Sequence, residues 1–312
     1  MKTTDDVFFY VSEFFRVTDT KLDALKKQID KLRDTVTQVQ NHVSGIYALE
    51  HKSEDLKPAT GHMRLKQLGC LKLLRMIDKV LKEHGIEYFL GYGTLLGAAR
   101  HGDFIPWDDD ADICLMREHF ERALEILPQY FNTPPFHTEY AQSGRFMKVY
   151  FGNHVWVDLF PQDYYFKRMD EEEVPNFIAR YVDAMKQARA KESKKKVPYL
   201  GGEEYEKLRK DIILQDNEPD MESGDIFEGI DWQIYVERAA KFFHSKPFHR
   251  EYVLPLGEIE FCGERFPAPH DVDAWLTTRF GDWHEFKPDF ARHKGSMRYP
   301  EVLQLQEFLN DD

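Results

Sequence analysis

Over the first fifty residues the seam positions fall in alternating steps of three and four: Phe8, Val11, Phe15, Thr18, Leu22, Leu25, Ile29, Leu32, Val36, Val39, Val43 and Ile46. All but Thr18 are apolar, and the residues between them are largely Lys, Asp, Gln and Thr. A helix packed on its own domain carries a wide apolar stripe. A narrow seam of period 3.5 instead suits a coiled coil between helices. Residues 1–50 are therefore expected to form a homo-oligomerising coiled-coil helix, with dimer and trimer both open. The polar stretch 51–61, which holds Pro58 and Gly61, reads as a linker.

From residue 62 to 312 the pattern changes to one α/β (α+β) domain, a mixed sheet flanked by helices. An amphipathic helix spans 63–84 and stops at Gly85. A short apolar strand follows at 86–90, then a turn at 91–94 and a short helix at 95–101. A second strand at 110–116 leads into a helix at 118–127. Strands at 145–151 and 155–160 pair across Gly152-Asn153. Charged helical stretches are expected at 172–194 and 203–216, and another helix at 231–243. A hairpin turns at Cys262-Gly263, and a helix at 271–280 closes the domain.

Composition narrows the functions. Apolar residues make 42% of the chain and charged residues 31%, the balance of a folded globular protein. The net charge of −13 disfavours sequence-independent nucleic-acid binding. Cys70, Cys114 and Cys262 match no zinc spacing and read as free thiols of a reducing compartment. No apolar run reaches the length of a membrane span, and the acidic start does not read as a secretory signal. The expected location is the cytoplasm.

The candidate chemistry lies between Gly91 and Ile113. Strand alternation would put Asp108, Asp110 and Asp112 on one face, with Asp109 pointing away. Crowded carboxylates raise one another's pKa, and a hard divalent cation such as Mg²⁺ or Mn²⁺ removes that penalty. Asp158, embedded in the apolar strand 155–160, supplies a third acid, as metal ligand or as general base. Gly93-Thr94 opens a helix after a strand, where backbone N–H groups suit a phosphate. Arg100 and His101 end that helix, either to bind a diphosphate or simply to complement the helix dipole. Lys148, flanked by apolar residues, has Asp158, a phosphate or solvent as its partner. An aromatic such as Trp107 or Tyr92 suits packing on a donor, and a quaternary ammonium would favour a cation–π face. The run 191–196 (KESKKK) reads as a solvated helix end, with an anionic acceptor as the other use.

The block from Gly93 to Ile113, with its Ile105-Pro106-Trp107-Asp108-Asp109-Asp110 segment, resembles the LicD family, which includes the fukutin-like enzymes. Lys148, Val157-Asp158-Leu159-Phe160-Pro161 and the closing segment from Phe266 to Trp283 extend the resemblance over roughly 88–288. The N-terminal seam is not part of it. The resemblance implies a nucleotidyltransferase-like fold and transfer of a phosphorylated alcohol from a CDP-linked donor to a hydroxyl of a cell-surface glycan, with CMP leaving. Phosphocholine is the favoured group, and ribitol or glycerol phosphate the alternatives. By the same resemblance Asp110 and Asp112 hold the metal, with Asp158 and Asp108 completing the acidic site. Two other readings stay open: an Asp-x-Asp sugar-nucleotide glycosyltransferase, and a non-catalytic scaffold in a polysaccharide assembly complex.

Overall fold

The computed structural model describes residues 17–18, 20–29, 31–32, 35–36, 39, 57–141, 146–195, 207–229, 246–284, 297 and 299–311. The described residues before position 40 are helical. Leu22, Leu25, Ile29, Leu32, Val36 and Val39 of the seam are exposed on them. The other apolar seam positions, the helix expected at 231–243 and the side chains of the run 191–196 lie outside the described residues.

Helix α1 (Gly61–Glu83) begins at the end of the stretch read as a linker. Its buried residues, among them Met63, Cys70, Leu74, Ile77 and Leu81, recur at helical spacing and face the core. The helix stops in a left-handed turn at Gly85 (φ +59°), where the Ile86 N–H donates back to the Leu81 carbonyl at 2.9 Å. Next come β1 (Phe89–Leu90), α2 (Tyr92–His101), β2 (Ala111–Met116) and α3 (Arg117–Phe131). Strands β3 (Phe136–Ala141), β4 (Phe146–Phe151) and β5 (Val155–Tyr164) follow.

The sheet runs β1-β2-β5-β4-β3, and β6 (Ile226–Glu228) pairs with the end of β5. Only β2 and β5 are parallel. The sheet's two faces are set by strand alternation. A Cβ added to Gly69 of α1 would meet the Val155 side chain at 3.0 Å, so α1 packs closely on that face of β5. On the opposite face Phe160 meets the ring of Tyr92, at the start of α2, at 4.6 Å.

The later elements are α4 (Val174–Lys195), a π-helix (Arg209–Ile213), α5 (Arg250–Val253), β7 (Gly257–Phe261), β8 (Glu264–Ala268), α6 (Val272–Phe280) and α7 (Tyr299–Asn310). The stretch expected as a helix over 203–216 is thus, among its described residues, a brief helical start that widens into a π turn. The hairpin β7–β8 turns through Cys262 (φ +53°) and Gly263 (φ +81°), the left-handed pair that a two-residue turn needs. It docks on the end of α2, where the Cys262 N–H donates to the Gly102 carbonyl at 2.7 Å. None of the described helices is long and apolar enough to cross a membrane.

Candidate active site

Register places a row of charges across one face of the sheet. Asp112 of β2 is the cross-strand partner of Asp158 on β5. Asp158 is in turn the partner of Lys148 on β4, and Lys148 of Glu139 on β3. Direct partners on one face lie about 5 Å apart at Cβ, so Asp112 and Asp158 repel each other. Lys148 relieves half of that pair: its Nζ donates to both Asp158 oxygens, at 2.6 and 2.7 Å. Among the described residues, no ammonium is seen to donate to Asp112 in the same way. Burial first, then the charges of Asp110, Asp158 and Asp108, push its pKa well above the ordinary carboxylate value, with Lys148 pulling the other way.

Asp108, Asp109 and Asp110 do not share a strand with Asp112. Strand β2 begins at Ala111, and the three acids lie on the loop before it. The loop is held from α1. Gln67 Nε2 donates to the carbonyls of Ile105 (3.0 Å) and Asp108 (2.9 Å). Lys66 Nζ meets Asp109 Oδ2 at 2.6 Å, with both side chains buried. A buried ion pair with Lys66, not strand alternation, thus holds Asp109. Asp110 turns inward, and Trp156 Nε1 donates to its Oδ2 at 3.1 Å.

Helix α2 starts at Tyr92, earlier than the pattern suggested, because Gly91 is its N-cap. Gly91 has no side chain to cap the helix, and Asp112 does that work: the Gly93 N–H donates to Asp112 Oδ2 at 3.2 Å. The Thr94 hydroxyl accepts the Asp112 N–H at 2.8 Å. Gly93 and Thr94 thus anchor Asp112. A side chain at Gly93 would collide with the Asp108 carboxylate, so only glycine lets the acid come this close. Tyr92 enters the helix with φ +43°, a strained value for a non-glycine residue. Its ring is fixed by Phe160, by Trp275 at 5.9 Å and by the Arg279 guanidinium at 4.4 Å.

Asp110, Asp112 and Asp158 each offer an oxygen within 4.8 Å of the others. Such a set of hard oxygen donors fits Mg²⁺ or Mn²⁺. Asp108 and Asp158 are buried, while Asp110 is partly open. Trp107 is buried in the core. Arg100 donates to the Trp283 carbonyl at 2.8 Å, and burial pulls its pKa down to about 10, against the opposing charge of Asp282. His101 closes α2, half-buried.

Residues 85–181 match the family described as LicD/FKTN/FKRP, nucleotidyltransferase domain. The chain carries a LicD-family domain. The lipopolysaccharide cholinephosphotransferase LicD of Haemophilus influenzae is 42% identical over 64 residues, 20% of this chain and 24% of that protein. Human ribitol 5-phosphate transferase FKRP is 37% identical over 102 residues, 30% of this chain and 21% of that protein. The chain therefore spans less than a quarter of the length of these two relatives. The lincosamide antibiotic adenylyltransferase LnuA, solved with lincomycin bound, aligns at 12% identity and a TM-score of 0.30, over 75% of this chain and 95% of that one, too loosely to carry an argument.

Lys66, Gln67, Trp156 and Arg279 are not among the residues that the sequence pattern points to. Lys66 and Gln67 did leave a signal: they occupy the apolar stripe of α1, between Met63 and Cys70, where a polar residue must have a buried partner. Trp156 stands two residues before Asp158 and so shares its face. Nothing in the chain before it ties Arg279 to Tyr92.

Proposed function

We propose that this LicD domain is a metal-dependent transferase that moves a phosphorylated alcohol from a CDP-linked donor to a glycan hydroxyl and releases CMP. The convergence of Asp110, Asp112 and Asp158 on one spot carries the reading. Asp110, Asp112 and Asp158 would hold Mg²⁺ or Mn²⁺, with Asp108 beside them. Bound there, the cation supplies neutralisation of the donor's diphosphate. The chain's own residues do the rest by positioning, the main requirement of phosphoryl chemistry. The start of α2 fixes Asp112, Trp156 fixes Asp110, and Lys148 fixes Asp158. Because the ammonium binds both of its oxygens, Asp158 suits the role of metal ligand better than that of base.

Phosphocholine is the group to test first, since the matched segment of the Haemophilus influenzae relative is 42% identical. Tyr92 gives choline no added support, for its ring already carries Arg279. We place the reaction in the cytoplasm, on a homo-oligomer assembled through the N-terminal seam. The test is CMP release by the purified chain with Mn²⁺ or Mg²⁺, offered CDP-choline, CDP-ribitol and CDP-glycerol in parallel, each with a glycan acceptor. Release from one donor, abolished by EDTA and lowered at least ~100-fold by Asp110→Asn, is the expected result. If no CDP donor binds in the presence of metal, the transferase reading is wrong.

A further inference from the structure

Asp110 lies on a loop, without the backbone lattice that fixes Asp112 and Asp158 in the sheet. The indole Nε1–H of Trp156 donates to its Oδ2 at 3.1 Å. The ring is itself fixed. Lys66 Nζ sits 4.0 Å from its centroid and Lys148 Nζ 5.1 Å, so ammonium groups of two different elements, α1 and β4, pack on it. Lys66 is pinned in turn by Asp109 at 2.6 Å, and Lys148 by Asp158. Trp156 thus has two lysine ammoniums against its ring, one paired with Asp109 and the other with Asp158, and its indole N–H donates to Asp110 on the loop.

We propose that Trp156, held by Lys66 and Lys148, is a positioning residue that orients Asp110 for metal binding. The proposal rests on the metal-site reading above and adds an outer layer to it. The hydrogen bond from Trp156 orients the carboxylate of Asp110. Such outer-layer donors typically govern metal affinity by 10–100-fold. The layer reaches beyond residues 85–181, because Lys66 belongs to α1.

The experiment is a Mn²⁺ titration of the full chain, without donor or acceptor, comparing wild type with Trp156→Phe. Phenylalanine keeps a ring against the lysines and removes the N–H. The expected result is Mn²⁺ binding at least ~10-fold weaker, with the metal-free melting temperature nearly unchanged. Equal affinity in the two proteins overturns the proposal while leaving the metal site intact. No Mn²⁺ binding by wild type overturns the metal site itself. Should Trp156→Phe fail to fold, the wild-type indole ¹H–¹⁵N resonances decide. One indole N–H resonance that shifts on titration with diamagnetic Mg²⁺ and is unmoved by Mg²⁺ in Asp110→Asn supports the proposal. Five unmoved indole resonances, in a chain with five tryptophans, overturn it.

Discussion

At the residue scale, Asp112 is a strained charge in the acidic cluster. Burial and three neighbouring acids raise its pKa well above the ordinary 3.8. The unfolded chain therefore loses this proton at lower pH than the folded one. Between the ordinary and the raised value the folded state holds the extra proton, so this group's contribution to stability falls as pH rises through that window. We expect metal-free Asp112→Asn to melt a few degrees above wild type at pH 7, with the two converging near pH 4, below the raised range. The same variant should lose Mn²⁺ binding. Thermal melts in EDTA across pH check the first half; a variant that melts lower at pH 7 would contradict it. The acids themselves were legible in the chain because carboxylates in an apolar stretch need a cation. Their exact partners were not, since the loop that presents Asp108, Asp109 and Asp110 does not follow strand alternation.

At the element scale, the close approach of α2 to the loop after it sets the site's geometry. A Cβ on Gly97 would lie 2.5 Å from the Asp103 carbonyl oxygen and 3.0 Å from the Ile105 nitrogen, both backbone atoms that cannot swing aside. Alanine in a helix is otherwise better than glycine by about 1 kcal/mol. We expect Gly97→Ala to destabilise by roughly 1–3 kcal/mol, as overpacking does, and to weaken metal binding through the shifted loop. Urea unfolding and Mn²⁺ titration of the same variant check both effects. A second test concerns the clamp from α1. Lys66→Met takes the ammonium away from buried Asp109 and should cost about 3–5 kcal/mol. Lys66→Met with Asp109→Leu removes both charges and should recover most of that loss; if the double variant is no more stable than the single one, the pair is not the reason. The helices and paired strands of the domain were readable from periodicity. The start of α2 at Tyr92 was not, because its cap is an acid contributed by the next strand, a contact that local pattern does not report.

At the scale of the whole molecule, the family match ends at residue 181, but the site does not. Helix α1 holds the acidic loop, and α6 brings Arg279 to the ring that opens α2. These contacts join residues far apart in sequence, which is why chain patterns gave the acids and not their supports. The N-terminal seam is the other feature beyond the match. Leu22, Leu25, Ile29, Leu32, Val36 and Val39 lie exposed on helical residues, an apolar line that a second copy would cover. Light scattering should give a dimer or trimer, and Leu25→Asp with Leu32→Asp should reduce it to the monomer without abolishing CMP release. A wild-type monomer would sink the assembly proposal alone.

The account's central claim is that Asp110, Asp112 and Asp158 form one metal centre. The most direct measurement is an anomalous difference map from crystals grown with Mn²⁺ and CMP. The account predicts an Mn²⁺ peak bounded by those three carboxylates. A map in which Mn²⁺ binds elsewhere, or nowhere, would contradict it.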